Sequence, residues 1–594
     1  MPRATHVSRT RPGVVQARTM ALATVVAAAI ACGGPSAPAA PPSFDAYVDR
    51  WLDEFARMQP SIAAGNGLHA YDGTLEDFSA GGIAAQIETW KSLRTALQAI
   101  PVDGLTPDQR VDHRILGGLI DAWLLDLETA RSWRTNLMVY ASAVSSGVHN
   151  LMTMESAPAA VRAERIVAKL RGVPSLLAAA DANLVDPPRV MTERGLRMIR
   201  GAAGMLRDDV PLAFAGLDDE TMKKSLLAAT AATATALDEF ATRFETTRLP
   251  SADGAYAVGR ETLEARYRAE ELIDLSAPQL LAIGERELDR AETAFTAAAA
   301  ALDPGRPAQD VWRGILKDHP ARGQLVAAAQ RAVDALQAFV VEKRLATIPA
   351  ADPVVVAAAP PYDLGLASMH SSPPLEATPV KSYFYITDAQ ASWDAARQDA
   401  WLERFNVASL AITTAHEVMP GHYLHSLFMR NTPGKVRRIW IGLNPFPQPS
   451  SGQDGWAHYA EQLVVDEGFM DGDPRYRMGQ LSEAMTRICR LISGIRLHTG
   501  EWTVDQAAAF FEARAHLPAP AARQEAERGT YDPTYGGYFL GKMAALKLRE
   551  DVRAKEGAAF ELRRFHERVM TNGIAPWWAH RQLLLPGDAS PVLQ

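Results

Sequence analysis

The chain has 594 residues, of which 47% are hydrophobic and 22% charged, a balance typical of globular proteins and unlike that of disordered tails or fibres. Its 61 lysines and arginines against 69 acidic residues give a formal net charge of −8, which argues against a nucleic-acid partner. Two cysteines cannot form a disulfide framework or a cysteine zinc cluster, so any metal must be held by histidine and carboxylate side chains.

The N-terminal segment has the pattern of an export signal, because four arginines precede an apolar run, Met20 to Ala31, that is too short to span a bilayer. Small residues precede Cys32, as in the cleavage site of bacterial lipoproteins. We therefore predict that residues 1–31 are a signal peptide and that Cys32 carries the lipid. The alternative is ordinary signal cleavage at one of the alanines, with Cys32 incidental.

Residues 32–43 are rich in Gly, Pro and Ala and are predicted to be a tether. Loss of the signal removes four arginines and no acid, which leaves 57 basic and 69 acidic residues and a net charge of −12. The expected location is the periplasm or cell envelope, with membrane contact only through the N-terminal lipid anchor. The other cysteine, Cys489, is expected to be a lone buried thiol.

Residues 44–346 are predicted to be helical, since Ala, Leu, Glu and Arg dominate and apolar residues recur at spacings of three and four. The clearest runs are residues 160–180, 218–247, 263–302 and 324–345. No fixed-period repeat occurs, so the sequence does not indicate a solenoid.

The composition changes at residues 347–379, which are rich in Pro, Ala and Val, and the following KSYFYIT, residues 381–387, is predicted to be a short strand. We interpret this change as the start of a catalytic region over residues 347–594, integrated with the helical half in one domain. The predicted fold class is mainly α, with a small β-sheet beside the active-site helix. The edge of the predicted strand could bind an extended peptide.

The chemistry is concentrated at the end of a predicted helix, where His416, Glu417, His422 and His425 lie within ten residues. In the common zinc-peptidase motif HExxH, two histidines at i and i+4 share one helix face and the intervening glutamate is the general base. Here the second histidine lies at i+6, about 240° around a regular helix, so a regular helix could not form this site.

Pro420 and Gly421 lie between the two histidines and can break the helix. Proline has no N–H to donate to the His416 carbonyl and crowds it, while glycine tolerates backbone angles closed to other residues. A break that absorbs two residues would return His422 to the position of an i+4 histidine. The alternative is a helix that ends at Pro420 and leaves the histidines on the surface.

A third ligand is expected from residues 453–462, QDGWAHYAEQ. Asp454, His458 and Glu461 stand at i, i+4 and i+7, so one helix face carries two carboxylates and an imidazole where packing would favour apolar residues. This pattern indicates a metal-facing helix, and the alternative is a solvated face. His458 could instead orient a ligand through a hydrogen bond. The expected metal is one Zn²⁺ per chain, and Mn²⁺ or Co²⁺ could substitute.

At these residues the sequence resembles the bacterial family called domain of unknown function 885, whose signature is HExxPGH. The resemblance extends over nearly the whole mature chain, from Gly67-Leu68-His69-Ala70-Tyr71-Asp72 to the GTYDPTYGGYFLGK of residues 529–542. It implies a large helical fold of the gluzincin-like metallopeptidases.

Residue by residue, the resemblance implies that His416 and His422 are metal ligands and that Glu417 is the base. The family's third ligand is the first carboxylate of an EGWAxYxE segment, which is Asp454 here. Because aspartate is one methylene shorter than glutamate, Glu461 is the alternative ligand.

Three further residues match family segments. Arg490 and His498 belong to one of them, with Gly494 where many relatives have aspartate, and Tyr538 falls where the family has a tyrosine that could donate to an oxyanion. The alternatives are a solvated arginine, a histidine that makes hydrogen bonds in the core, and a tyrosine that only packs.

The expected function is zinc-dependent hydrolysis of an amide bond in short peptides. Zinc would polarise the carbonyl and acidify a water, Glu417 would pass the water's proton to the leaving amine, and Tyr538 or His498 would stabilise the oxyanion. One alternative is a zinc hydrolase of esters or non-peptide amides. Another is a catalytically silent peptide-binding lipoprotein. No feature of the sequence specifies an oligomeric state.

Overall fold

The computed structural model describes residues 43–350, 353–360, 365–439, 447 and 449–593. The predicted signal peptide, nearly all of the predicted tether and the lipidation site Cys32 lie outside the described residues. Among the helices that are described, none has the length and apolarity needed to cross a bilayer. The other cysteine, Cys489, is buried and unpaired, as predicted.

The first half of the chain is helical, as predicted. Its helices are α1 (Phe44–Met58), α2 (Pro60–Gly65), α3 (Ala80–Gln98), α4 (Pro107–Leu125), α5 (Ser132–Thr135), α6 (Leu137–Thr153), α7 (Ala159–Leu170), α8 (Val173–Asn183), α9 (Arg189–Gly204), α10 (Val210–Ala213), α11 (Glu220–Thr247), α12 (Arg260–Glu270), α13 (Ala277–Leu302), α14 (Ala308–Leu316) and α15 (Leu325–Glu342).

Two of the four predicted runs are single helices and two are divided. The runs 218–247 and 324–345 correspond to α11 and α15. The run 160–180 is divided at Gly172, because Pro174 cannot donate a hydrogen bond within a continuous helix and instead occupies the first turn of α8. The run 263–302 is divided between α12 and α13, where Ser276 and Gln279 form a capping box that begins a new helix.

The sheet has three short strands, β1 (Val355–Ala358), β2 (Ala367–His370) and β3 (Tyr383–Ile386), in the order β1-β3-β2. Strand β3 pairs parallel with β1 and antiparallel with β2. The strand predicted at residues 381–387 is therefore present, but the expectation that its edge binds a peptide is wrong, because β3 is the central strand. The exposed edges belong to β1 and β2, which the sequence did not predict.

The second half of the chain surrounds this sheet with helices. They are α16 (Ala395–Leu402), α17 (Val407–Glu417), α18 (His422–Met429), α19 (Ser450–Asp466), α20 (Pro474–His498), α21 (Val504–Arg514), α22 (Ala519–Tyr531), α23 (Gly537–Glu556), α24 (Leu562–Thr571) and α25 (Trp577–Leu584). The prediction of a mainly α fold with a small sheet is confirmed.

The described residues contain two hydrophobic clusters within one compact unit that begins at Pro42. The first cluster is built mostly from residues 44–244, and it also takes side chains from Val436 to Ile439 and from the start of α25. The second is built from residues 263–593, so α13 to α15 pack with the helices of the second half, while α12 also packs against α4. The boundary between the two cores thus lies well before residue 346, where the composition changes.

Candidate metal centre

The helix that carries the HExxPGH segment is broken between Glu417 and His422. Helix α17 is capped by Asn406, whose side chain accepts hydrogen bonds from the N–H groups of Ala408 and Ser409, and it ends at Glu417. Across the break the Gly421 N–H donates to the Ala415 carbonyl at 2.9 Å, six residues back where a regular helix would reach four. The break therefore adds two residues to the i to i+4 spacing, as the sequence predicts.

The break depends on Gly421 and is supported by Trp456. A Cβ atom added to Gly421 would lie 1.7 Å from the His416 carbonyl oxygen, so no residue with a side chain fits this backbone. The Trp456 indole N–H donates to the Pro420 carbonyl at 3.0 Å, which satisfies a backbone group that the break leaves without a helical partner. The turn is thereby held in the buried interface between α17 and α19.

This turn brings two imidazoles and one carboxylate together. The Asp454 Oδ1 atom lies 3.9 Å from Nε2 of His416 and 3.8 Å from Nε2 of His422, and one ligand atom from each residue lies within 4.8 Å of the others. These separations are too long for hydrogen bonds. Two ligands of one tetrahedral zinc ion, each about 2.1 Å from it, would be about 3.4 Å apart. The donor set and its spacing therefore fit Zn²⁺.

Contacts of α19 with α23 and with Glu271 position Asp454. A Cβ atom on Gly455 would lie 2.6 Å from the Cα of Gly541, so α19 and α23 pack with their backbones in direct contact. At the start of the same helix, the buried Glu271 carboxylate accepts from the Ser451 N–H at 3.0 Å and from the Ser450 hydroxyl at 3.0 Å. These contacts fix the helix from which the aspartate reaches the histidine pair.

Glu461 lies on the same helix but meets a different atom of His416. Its Oε1 lies 2.7 Å from Nδ1 of His416, with Nδ1–H donating, and 2.9 Å from the Arg487 guanidinium. A carboxylate behind a ligand histidine keeps the proton on Nδ1 and leaves Nε2 free to bind metal. The structure thus brings Asp454 to the donor group and places Glu461 behind it.

The carboxylate of Glu417 lies beside this group in a buried environment. Burial and the neighbouring Asp454 raise the pKa of Glu417 to about 8, against a lowering contribution from Arg487 and a backbone hydrogen bond from Met369. Burial also raises the pKa of Asp454 to about 6 and that of Glu461 to about 7. A divalent cation among these carboxylates would lower all three pKa values, since it favours their charged forms.

The imidazoles of His416 and His422 are neutral because they too are buried. Burial lowers the pKa of His416 to about 3 and that of His422 well below its usual value, with nearby positive groups adding to both shifts. A neutral imidazole is the form that binds metal, so the site needs no histidine deprotonation before loading.

Strand β2 runs along the site with one edge unpaired by the sheet. The Thr387 N–H donates to the Leu366 carbonyl, which places Ala367 and Met369 at positions whose backbone groups point away from β3. The Met369 backbone accordingly reaches Glu417. This edge offers main-chain groups beside the candidate metal ligands.

The site opens into a cavity of about 450 Å³ between the two halves of the chain. Its lining includes the polar residues Ser146, His149 and Asn150 of α6 from the first half and residues of β2 from the second half. Glu417, His422 and Asp454 line it, so the general-base candidate and two ligand candidates are accessible from this space. Its volume lies in the range of small-molecule sites.

Tyr538 lies near the donor group, whereas His498 does not join it. The Tyr538 hydroxyl accepts a hydrogen bond from Arg528 at 2.7 Å; burial raises the pKa of that hydroxyl, and the nearby Asp454 adds to the shift. The His498 ring is fully buried, donates to the Gly529 carbonyl at 2.7 Å and accepts from the Val258 N–H at 3.3 Å. Both of its nitrogens are occupied by backbone, so the expected oxyanion role of His498 is not supported.

The contacts of two other candidates, Arg490 and His458, indicate structural roles. Arg490 forms a two-pronged ion pair with the partly buried Glu525, at 2.7 and 2.8 Å. His458 is fully buried on α19 and is absent from the group of donor atoms that the described residues bring together. His458 is therefore not placed to bind metal, and Arg490 is held by its ion pair with Glu525 and is not a solvated arginine.

Sequence reasoning missed Arg487, Arg528 and Met369. Arg487 precedes Arg490 by one helical turn in α20, and no spacing rule distinguishes the arginine that pairs with Glu461 from the one that pairs with Glu525. Met369 belongs to a four-residue strand without a clear alternating pattern. Only the three-dimensional packing reveals their places at the site.

Comparison with known proteins identifies a family whose model matches the chain and solved structures with a similar fold. The family model described as bacterial protein of unknown function (DUF885) matches residues 60–580. A candidate lipoprotein of unknown function from Shewanella oneidensis is similar in structure, with a TM-score of 0.74, 22% identity, and coverage of 92% of this chain and 100% of that chain. A candidate lipoprotein from Colwellia psychrerythraea has a TM-score of 0.75 and 17% identity, covering 92% and 99%. No curated protein sequence matches significantly.

Proposed function

This chain belongs to the DUF885 family of bacterial proteins, and we propose that it is an exported zinc-dependent metallopeptidase that cleaves short peptides, with Glu417 as general base. Family membership confirms the resemblance drawn from the sequence motifs, and the hydrolytic activity is our proposal. The observation that carries it is the group formed by His416, His422 and Asp454, with Glu417 beside it at the wall of a cavity.

The donor set favours a catalytic metal site over a structural one. His416, His422 and Asp454 would hold the ion, and three protein ligands leave a fourth position for water or substrate. Zinc, when bound, supplies the Lewis acidity that polarises a carbonyl and acidifies water. The Glu461 carboxylate orients His416 through Nδ1, as in many zinc enzymes.

The side chains of the site can perform the proton transfers of amide hydrolysis. Glu417 would accept a proton from water at its carboxylate and pass it to the leaving nitrogen. The Tyr538 hydroxyl would donate to the oxyanion of the tetrahedral intermediate, and Arg528, which donates to the tyrosine oxygen, makes that hydroxyl a stronger donor. The buried surroundings strengthen each of these interactions.

The edge of β2 suits a peptide substrate. The backbone groups of Ala367 and the Met369 carbonyl point away from the sheet beside Glu417, and an extended peptide could pair with them as an added strand, while the Met369 N–H donates to Glu417. This pairing favours a peptide over an ester that lacks repeating amide groups. It replaces the pairing at β3 that the sequence suggested.

We propose a location in the cell envelope for the same protein. The N-terminal pattern ends at Cys32 in a lipoprotein-like cleavage site. The two solved structures named above are of candidate lipoproteins, which supports the same location for this chain. The lipid at Cys32 would then be its one attachment to the membrane.

A Glu417→Gln variant tests the proposed chemistry. Glutamine keeps the shape but cannot accept the proton, so we expect at least about 100-fold loss of kcat on short peptides. Zinc content, measured by mass spectrometry of the purified protein, should remain at one ion per chain. Glu467→Gln, at the end of α19, is the control and should keep both properties.

The outcomes separate the alternatives. Undiminished peptide hydrolysis by the Glu417→Gln variant would rule out the mechanism. Less than about one zinc per chain after reconstitution of the wild type would favour a silent peptide-binding protein. Turnover of acyl esters without turnover of peptides would leave the zinc chemistry in place and change the substrate class.

A further inference from the structure

The cavity that contains the candidate metal centre has a positively charged residue on its wall. Arg438 lines the same space as Glu417 and Asp454, and it is the one lysine or arginine among the described residues that do so. It follows α18 in the chain and is partly buried. A ligand that reaches the metal-binding residues can therefore also contact this guanidinium.

The contacts of Arg438 fix its orientation, and no carboxylate of the described residues pairs with its charge. Its Nε and Nη2 atoms donate to the Thr432 carbonyl at 2.9 and 2.5 Å. Within the described part of the chain no carboxylate pairs with it, and its Nη1 atom has no hydrogen-bond partner. A guanidinium anchored along one side by a backbone carbonyl presents its remaining N–H groups in a defined direction.

Arg430 strengthens the positive potential at this end of the cavity. It donates to the carbonyl groups of Pro373 and Glu376, at 3.1 and 2.9 Å, and it too has no ion-pair partner among the described residues. Burial lowers the pKa of Arg438, and the proximity of Arg430 adds to this shift. Two neighbouring cations without a counter-charge are unfavourable alone and favour an incoming anion.

We propose that Arg438 is a specificity residue that binds the free C-terminal carboxylate of a short peptide, while the peptide's scissile amide lies at the candidate metal centre. The guanidinium fork matches a carboxylate in geometry and charge. The cavity, at about 450 Å³, is sized for a ligand whose own terminus lies inside it. This inference rests on the proposed peptidase function and adds the substrate class to it.

A carboxylate could also come from an acidic side chain within a longer peptide. We commit to the terminal carboxylate because every short peptide carries one whatever its sequence, whereas an acidic side chain is present in only some of them. The two sources are distinguished by three matched peptides: one with a free C-terminus, its C-terminal amide, and an amide that carries a glutamate at the last position.

The test compares hydrolysis of these peptides by the zinc-loaded wild type and by variants. The free acid should have about 10- to 100-fold higher kcat/KM than its amide, the range for a hydrogen bond to a charged group. Arg438→Met should remove this preference, and Arg438→Lys should restore part of it. Arg563→Met, an exposed arginine on α24 outside the cavity, is the charge-matched control and should keep the preference.

Each outcome supports or overturns the assignment. Equal kcat/KM for the free acid and the amide in the wild type would overturn it and leave the peptidase function intact, and this comparison requires no variant to fold. A preference for the glutamate-containing amide over the free acid would also overturn it, in favour of an acidic side chain.

A binding measurement separates failure of the subsite from failure of the peptidase function. If the wild type hydrolyses none of the peptides, the proposed function fails, but calorimetric titration of the Glu417→Gln protein still tests Arg438. About 10-fold or tighter binding of the free acid over the amide would support the subsite. Equal affinities would overturn it.

Discussion

At the scale of single residues, the site assigns different tasks to two carboxylates on one helix face. Asp454 faces the Nε2 atoms of both histidines, at 3.8 and 3.9 Å, while Glu461 binds Nδ1 of His416 and the Arg487 guanidinium. One carboxylate therefore completes the candidate donor set, and the other controls the tautomer of His416. From the sequence, Asp454 is the predicted third ligand and Glu461 is the alternative.

Replacement of Glu461 by glutamine should weaken zinc binding without abolishing it. Glutamine can still accept the Nδ1–H hydrogen bond, but it removes the negative charge that raises the basicity of His416, so we expect about 10- to 100-fold lower zinc affinity. Competition with a chromophoric chelator measures this change. The Glu467→Gln variant should bind zinc as the wild type does, and equal affinity of the Glu461→Gln protein would refute the orienting role.

A role can be predicted from the sequence when its cause lies in neighbouring residues of the chain. His416, Glu417 and His422 follow from motif spacing and from the backbone chemistry of Pro420 and Gly421, which is local. The choice between Asp454 and Glu461 depends on which nitrogen of His416 each one meets, which is set by packing of α19 against α17. For His498, the sequence shows only the residue type and its spacing, which suggested a catalytic role. The Gly529 and Val258 backbone groups that occupy its two nitrogens are brought to it by the fold.

At the scale of elements, a histidine bridge joins the first half of the chain to the segment after β2. His69 lies 2.9 Å from Asp72 through Nδ1 and 2.9 Å from Glu376 through Nε2. Arg165 also pairs with Asp72, at 2.8 Å. The segment that follows the edge strand is thus held against the loop after α2, beside the cavity.

This bridge should make stability depend on pH. The two carboxylates raise the pKa of His69 above its usual value, so its stabilising contribution is complete below about pH 6.5 and is lost as the pH rises through the folded-state value. His69→Gln should therefore destabilise by about 1 to 3 kcal/mol at pH 6 and by less at pH 9. Thermal unfolding of both proteins across this range measures the difference.

The control for the bridge is a histidine without a carboxylate partner. His113 makes its hydrogen bond to the Leu97 carbonyl and has no ion pair with any described residue. His113→Gln should therefore not show the greater loss at low pH. A difference between wild type and His69→Gln that stays constant from pH 6 to pH 9 would contradict the bridge.

The elements that the sequence predicts well are the long ones. Helices α11 and α15 have enough turns for a period of 3.6 to be visible, and the divisions at Gly172 and Ser276 follow from capping and proline chemistry. Strands β1 and β2 have four residues each in a segment rich in Pro and Ala, too short for a period of two to stand out. Their formation depends on pairing with β3, which is a tertiary event.

At the scale of the whole molecule, a buried arginine connects the two hydrophobic cores. Arg437 is fully buried; its Nε donates to the buried Asp112 of α4 at 2.6 Å, and its Nη1 donates to the Asn572 carbonyl at 3.1 Å. Its neighbour Val436 packs in the first core, although it belongs to the second half of the sequence. The two halves are therefore joined by a charged contact as well as by shared apolar packing.

Arg437→Met should destabilise both halves together. Removal of the guanidinium leaves Asp112 buried without a counter-charge, which costs about 3 to 5 kcal/mol in comparable buried pairs. Unfolding in urea, followed by tryptophan fluorescence and circular dichroism, should shift to lower denaturant with coincident transitions. The double variant Arg437→Met, Asp112→Asn should lose less stability than the two single variants added together, because the uncompensated charge is absent.

Arg563→Met is the surface control for this prediction. An Arg437→Met protein of wild-type stability would contradict the connection between the two cores. A protein whose two halves unfold separately would contradict it as well.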